Sequence, residues 1–257
     1  MFVTAVVAHR PSLRFCEGPA GPTRTARAAV AAIAGTIALM PSPAAAQASG
    51  AISIFSDDRF RGYSLSDGYP VGIFDLSYDA PSGLYGAVSG SMAATHSRHI
   101  EPIGLILNAG YAKRQSHGIS LDVGVVQSIY SSYSIGGHSR SYTEVYAGVA
   151  GKRLSARLYG SPNYLRRSGT FYGEVDGNVP LVEKLRLSGH VGMLVPLHSN
   201  PGPATYGREV DWRVGLVRQF GKVSAQAAWT GVRPGRVAHP NNDAGRTAFV
   251  LGLTYGF

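Results

Sequence analysis

Residues 246–257 read Arg246-Thr-Ala-Phe-Val-Leu-Gly-Leu-Thr-Tyr-Gly-Phe257. Side chains alternate between two faces along a β-strand. Phe249, Leu251, Leu253, Tyr255 and Phe257 therefore share one face, and Ala248, Val250, Gly252, Thr254 and Gly256 share the other. A strand of a soluble sandwich would turn its large face inward and carry charge on the opposite face. Here the opposite face is glycine, alanine and threonine, which suits a wall with hydrocarbon outside and a crowded interior within.

The same two-sided pattern recurs along the chain. In 184–195, Leu185, Leu187, Val191, Met193 and Val195 oppose Lys184, Arg186, Ser188, His190 and Gly192. In 210–216, Val210, Trp212, Val214 and Leu216 oppose Asp211, Arg213 and Gly215. Residues 119–125, 171–179 and 222–230 repeat it. A midplane arginine or lysine turned toward lipid costs about 2–4 kcal/mol, so the charged faces belong to the interior.

From Ser49 onward no helical period appears. The two-periodic runs, separated by Gly, Pro, Ser and Asn clusters, predict about twelve strands. They lie near 50–63, 69–80, 84–95, 102–113, 119–130, 142–151, 153–162, 169–179, 184–196, 208–219, 222–233 and 246–257. Each approximates the ten or so residues a tilted strand needs to cross a bilayer. The connections alternate in length. Ala80–Gly83, Gln115–Gly118, Gly151-Lys152, Pro180–Glu183 and Phe220-Gly221 are brief; His96–Glu101, Ser131–Ser141, Pro162–Ser168, Leu197–Gly207 and Pro234–Gly245 are longer. An even strand count with short turns on one side and long loops on the other predicts an all-β, closed, antiparallel up-and-down transmembrane β-barrel. A Greek-key sandwich is compatible with each strand alone but not with that alternation.

The N-terminal segment reads differently. Arg24 and Arg27 precede an apolar run, Ala28–Met40, and an Ala-x-Ala sequence ends at Ala48. These are the parts of a secretory signal peptide, so residues 1–48 are expected to be removed, with cleavage at Ala46 or Ala48, leaving 49–257 as the barrel. The lone cysteine, Cys16, lies in the removed part. Of the formal charge of +9, that segment carries Arg10, Arg14, Arg24 and Arg27 against Glu17, and +6 remains. With 15% charged residues, 33 glycines and a mean hydropathy near zero, a bundle of membrane helices is excluded. The positive residues are strewn along the chain rather than grouped on one face, which argues against nucleic acid as a partner.

The most distinctive stretch is Ser56-Asp-Asp-Arg-Phe-Arg-Gly-Tyr-Ser64, followed by Leu-Ser-Asp-Gly-Tyr-Pro70. It resembles the opening of the TorF-type porin family, uncharacterised bacterial outer-membrane β-barrel proteins. Ser56, Asp57, Arg61, Gly62 and Ser64 fall on the family pattern, and Asp67, Gly68 and Pro70 continue it. Asp58 stands where the family has a tyrosine, so a role for that ring does not carry over. The likeness runs loosely on through Pro81–Gly86 to the last strand. That strand, closing on an aromatic residue, also resembles the C-terminal signature that the barrel-assembly machinery reads in outer-membrane barrels. The resemblance implies that Phe249, Leu251, Leu253, Tyr255 and Phe257 form the assembly signal, and it implies the bacterial outer membrane and its lipid as surroundings.

Asp57, Arg59 and Arg61 are expected on one face of the first strand, where they can meet Asp75 and Asp79 of the second. The full set of candidate lumen residues is Asp57, Asp75, Asp79, Asp122, Glu144, Glu174, Asp176 and Asp211 against Arg59, Arg61, Arg157, Lys184, Arg186, Arg213 and Arg218. That near-balance of charge predicts a weakly selective constriction for small hydrophilic solutes, or a charge network that staples and fills the barrel. Loop arginines such as Arg98, Arg140, Arg208 and Arg233 suit phosphate-bearing lipid or a funnel for anions. Tyr63, Tyr130, Tyr164 and Trp229, near strand ends, are expected as interface anchors.

Catalysis finds little support. The histidines are scattered, and His96-x-x-His99 has neither a helix beneath it nor a third ligand, so no metal is assigned. No cofactor motif occurs, because no helix follows a glycine-rich turn. The expected function is passive diffusion through an outer-membrane porin. The alternatives are a structural or adhesive barrel with a plugged lumen and an outer-membrane hydrolase.

Overall fold

The computed structural model describes residues 47–95, 99–115, 118–135, 140–165, 168–197, 208–233 and 247–257. Twelve antiparallel strands form one closed barrel. In chain order they are β1 (Gln47–Phe55), β4 (Val71–Asp79), β5 (Leu84–Ala94), β6 (Ile100–Arg114), β7 (Ser120–Tyr130) and β8 (Arg140–Ala150). They continue with β9 (Leu154–Tyr164), β10 (Ser168–Val182), β11 (Leu185–Pro196), β12 (Glu209–Phe220), β13 (Val223–Arg233) and β14 (Thr247–Gly256). Between β1 and β4 lies a separate two-stranded hairpin, β2 (Arg59–Phe60) and β3 (Tyr63–Ser64), and after β7 comes the single turn α1 (Ser132–Ile135).

The wall alternates as its side-chain period requires. On β14 the exposures of Phe249, Leu251, Leu253, Tyr255 and Phe257 run from 46% to 65%, while Val250, Gly252, Thr254 and Gly256 between them are buried. Exposed Phe74, Leu76 and Tyr78 on β4 and Val214 and Leu216 on β12 extend this apolar outer surface around the barrel. Such a surface is stable only against hydrocarbon, and closure leaves no unpaired strand edge facing it.

Closure joins β1 to β14 over five paired residues, from Ala51↔Gly256 to Phe55↔Gly252. The ladder is extended at both ends. Gly50 and Phe257 exchange backbone hydrogen bonds, and Ser56 N–H donates to Leu251 O at 2.9 Å. Aromatic rings cover glycines across this seam. A Cβ on Gly252 would lie 2.2 Å from the Phe55 ring on the inside, and one on Gly50 would lie 2.5 Å from the Phe257 ring on the outside. Only glycine leaves room for those rings.

Short turns close one end of the barrel, as between β10 and β11 or β12 and β13, and Gln47, where β1 begins, and Phe257 lie at that end. The first connection, residues 56–70, belongs by parity to the long-loop end. Here the structure corrects the expectation of one strand over 50–63. The strand stops at Phe55, and Asp57, Arg59 and Arg61 lie on a hairpin rather than on the barrel wall. The cause is local backbone geometry. Arg61 and Gly62 have φ of 47° and 79° between paired Phe60 and Tyr63, and Asp67 and Gly68 repeat this with 55° and 76°. Two consecutive left-handed residues make a tight reversal that a continuous strand cannot hold. Residues 1–46, with Cys16 and most of the expected signal peptide, lie outside the described residues, as do His96, Arg98 and Arg246. Gln47 and Ala48 are the first residues of β1 and pair with Asp79 and Tyr78.

Candidate functional site: the lumen constriction

The hairpin folds inward and crosses the barrel mouth. Asp57 organises it, accepting from Arg59 Nε at 2.7 Å, Ser64 Oγ at 2.5 Å and Ser66 Oγ at 2.9 Å. Arg59 Nη1 also donates to Gly62 O at 2.9 Å, so carboxylate and guanidinium together brace the turn. At its tip the two neighbours Arg61 and Gly62 touch opposite walls. Gly62 abuts β13, where a Cβ would meet Gly231 O and Val232 Cβ at 2.6 Å. Arg61 Nη2 donates to Glu144 Oε1 on β8 at 2.7 Å.

The Arg61 guanidinium is enclosed by rings. Its Cζ lies 3.8 Å from the Tyr172 ring centroid, 4.9 Å from that of Tyr164 and 5.0 Å from that of Phe60. Burial pulls its pKa down, and Glu144 together with Tyr164, Tyr142 and Tyr172 more than offsets this, leaving it well above its ordinary value. Phe60 packs edge-on against Tyr130 at 5.7 Å. Tyr133 Oη on α1 donates to Ser66 O at 3.0 Å. Burial, followed by the nearby Asp67 charge, pushes that phenol up.

The walls facing the hairpin are unequal. From β5 to β10 the interior is filled by tyrosines, among them Tyr85, Tyr142, Tyr146, Tyr159 and Tyr172. In this filled half Arg157 Nη2 pairs with Asp122 at 2.7 Å, and Asp122 also accepts from Tyr85 Oη at 2.5 Å. The Tyr85 and Tyr146 hydroxyls are bonded to each other, and Tyr146 Oη donates to Asn108 at 3.2 Å. From β12 through β14 small inward residues, Gly215, Ser224, Ala228, Thr230 and Gly252, stand among the larger Glu209, Asp211, Arg213, Gln226 and Val250, and no tyrosine is among the described inward residues there. Between this wall and the hairpin is a cavity of about 60 Å³, lined by Asp57, Arg59, Arg61, His190, Asp211, Arg213, Gln226 and Thr230 and by apolar Phe55, Ile73, Ala228 and Val250.

His190 sits at the junction of the two halves. Nδ1 is 3.0 Å from Asp176 and Nε2 is 2.9 Å from Asp211, while Tyr172 Oη donates to Asp211 at 3.1 Å. Ionised carboxylates only accept, so a ring bonded to both is an imidazolium donating from both nitrogens. Glu174, Asp176 and His190 have ligand-type atoms within 4.8 Å of one another. A metal would need a free nitrogen lone pair, which the two carboxylate bonds remove. Tyr159 Oη donates to Glu174 at 2.9 Å, and Arg213 Nη2 stands 3.6 Å from Asp176.

The candidate residues from the sequence therefore separate into three groups. Asp57, Arg59, Arg61 and Glu144 meet at the hairpin, Asp122 and Arg157 pair deeper in the filled half, and Asp176, Asp211 and Arg213 gather around His190 with Glu174 beside them. Asp75 and Arg186 share the inward faces of β4 and β11. Asp79 is also inward, with Oδ1 buried and no hydrogen-bond partner. Lys184 and Arg218 are not in the lumen. Lys184 occupies the exposed turn after β10 with φ 62°, and Arg218 falls on the outer face, its guanidinium 5.3 Å from the Phe220 ring. Tyr63, Tyr130 and Tyr164, expected as interface anchors, are buried inside; Trp229, 51% exposed, faces outward. The sequence reading missed the His190 clamp and the buried Glu209. The alternation Tyr142, Glu144, Tyr146 on one strand face was the available signal for an aromatic interior.

A family model described as "Bacterial protein of unknown function (Gcw_chp)" matches residues 41–254. Among curated proteins none matches. Solved porins share the fold. A KdgM porin is 14% identical with a TM-score of 0.52, covering 81% of this chain and 99% of that one. A KdgM porin in complex with disordered oligogalacturonate is 13% identical at 0.51, and a NanC porin is 8% identical at 0.52, each with the same coverage.

Proposed function

We propose that this chain, which belongs to the Gcw_chp family of bacterial proteins of unknown function, is a narrow outer-membrane porin that passes small hydrophilic solutes down their gradient. The observation that carries the reading is the arrangement at the mouth. A charged hairpin crosses a closed barrel and leaves a polar cavity against the β12–β14 wall. Inward loops with opposed acids and bases restrict pore size and screen solutes by charge. The solute path then runs along β12–β14 rather than down the tyrosine-filled half.

Within the candidate set charge no longer balances: Lys184 and Arg218 leave the bases and Glu209 joins the acids. Most of these ions are nevertheless paired at short range, so weak selectivity is the expected behaviour. The kinship with TorF-type porins, resting on Ser56–Pro70, belongs to the same proposal. So do export by a signal peptide removed at Ala46 or Ala48, surroundings of outer-membrane lipid, and reading of the Phe249–Phe257 strand by the barrel-assembly machinery. No covalent chemistry is assigned.

Planar-bilayer recording with the purified, folded barrel tests the function. Discrete conductance steps are expected, and a silent bilayer would overturn it. Silence would favour a second reading, a structural barrel sealed by its own hairpin. The observation behind that reading is the Arg61–Glu144 pair, whose side chains are only 3% and 1% exposed.

A further inference from the structure

The lipid-facing wall carries almost no charge, and what it carries sits at strand ends. Among the described residues of the twelve barrel strands, the outward positions are charged at Lys113 near the end of β6, Arg218 near the end of β12 and Arg233 at the end of β13. No acid shares that face. Lys113 and Arg218 both lie toward the short-turn end. Exposed Arg114 at the end of β6, Lys152 and Arg153 between β8 and β9, and Lys222 between β12 and β13 join them there. The exposed acid among the described residues at that end is Glu183, which Lys184 meets at 3.7 Å. Asp79 and Asp122 point inward.

Two features say what such a rim meets. It is an arc rather than a patch, because the strand order carries these cations from β6 by way of β8 and β9 around to β13. A folded partner docks on one side of a barrel, whereas a lipid annulus surrounds it. The cations also stand at the edge of an aromatic belt. Tyr111, two residues from Lys113 on the same face, and Phe220, two residues from Arg218, are exposed, and Tyr78 and Tyr255 continue the belt. Arg218 Cζ lies 5.3 Å from the Phe220 ring centroid, so the side chain runs along the wall toward the turn and brings its charge to the edge of the apolar surface. Aromatic girdles mark the border of hydrocarbon and headgroups, and cations at that border stand at the depth of lipid phosphates.

We infer that the short-turn rim from β6 to β13 binds the headgroups of anionic phospholipids in preference to zwitterionic ones. A zwitterionic headgroup offers the same phosphate but adds an ammonium that the neighbouring cations repel, while a glycerol headgroup adds no positive charge. The inference goes beyond the porin reading, since it needs the barrel in a bilayer but no open lumen.

Electron spin resonance of spin-labelled phosphatidylglycerol and phosphatidylcholine, each in phosphatidylcholine vesicles holding the purified barrel, reads how strongly each lipid associates with the wall. Phosphatidylglycerol is expected to be favoured about threefold or more at low salt. The preference should vanish in about 1 M NaCl, where charges are screened beyond about 3 Å. Lys113→Gln combined with Arg218→Gln and Lys222→Gln, all at exposed positions, is expected to lower it about twofold or more while the β-sheet content by circular dichroism stays intact. Arg233→Gln, at the other end of the wall, should leave it nearly unchanged. Equal association of the two lipids with the folded barrel, a preference that survives high salt, or a triple variant with undiminished preference would each overturn the site. Loss of the preference through Arg233→Gln alone would overturn it in favour of the long-loop end. Bilayer recordings keep the two proposals apart. A silent barrel that still prefers phosphatidylglycerol would remove the porin reading and spare the rim, whereas a conducting barrel without the preference would remove the rim alone.

Discussion

Arg61 and Glu144, separated by 83 residues in sequence, meet at 2.7 Å across the barrel mouth and tie the inward hairpin to β8. Glu144 Oε2 has no hydrogen-bond partner, so a single strong contact and the rings around the guanidinium hold the tie. Removing one partner of a buried pair leaves the other charge uncompensated. Glu144→Gln is therefore expected to lower stability by roughly 3–5 kcal/mol. Chemical denaturation of the detergent-solubilised barrel, followed by tyrosine and tryptophan fluorescence, measures it. The joint variant Glu144→Gln with Arg61→Gln should recover part of the loss, since no unpaired charge then remains.

The seam gives a second expectation. Gly252 lies beneath the Phe55 ring, and a Cβ would meet the ring at 2.2 Å. Gly252→Val should force the ring away and open the first-to-last strand junction, reducing the yield of folded, protease-resistant barrel. Adding Phe55→Ala should restore much of that yield, because the steric conflict is between those two positions. If Gly252→Val assembled as well as the parent, the ring-on-glycine closure would not be what holds β1 to β14.

A third expectation concerns the hairpin as a whole. It is tied to β8 through Arg61 and Glu144, to α1 through Tyr133 and to itself through Asp57, while the twelve-strand ladder closes without it. Replacing residues 57–68 by a short Gly-Ser connection should leave the β-sheet content by circular dichroism intact. Under the porin reading it should raise single-channel conductance several-fold. An unchanged conductance would place the constriction elsewhere in the lumen.

Much of the wall was legible because a period of two is a strong signal when one side must be greasy. The faces assigned to Asp122, Glu144, Glu174, Asp211 and Arg213 follow from parity alone, and the structure puts all five inside. Parity also explains two misplacements. Arg218 is out of step with Asp211 and Arg213, so it lies outside, where its long stem crosses apolar surface near the barrel rim. Lys184 is taken by the turn because β11 begins one residue later than expected. The hairpin was hidden because Arg61-Gly62 is a less obvious reversal than Asn-Gly or Asp-Gly, and Phe60 and Tyr63 look like strand residues. Nothing in a single sequence could pair Arg61 with Glu144 or put His190 between Asp176 and Asp211, since these contacts depend on how the barrel closes.

The unequal halves of the lumen predict where current would flow. On β5–β10 tyrosines and their acid partners occupy the interior, and Tyr159 and Tyr172 are fully buried there. On β13 the inward Ala228 lines the cavity beside the hairpin, and its small side chain keeps that space open. Ala228→Trp would fill it, because an indole far exceeds a volume of about 60 Å³. Single-channel conductance should fall several-fold or vanish, while the wall, paired through backbone from Val223 to Arg233, should stay folded. Val214→Trp on the neighbouring strand points to the lipid side, at 49% exposure, and should leave conductance unchanged. Equal effects of the two substitutions would mean that they act through folding, and no effect of Ala228→Trp in a conducting barrel would move the path away from β13.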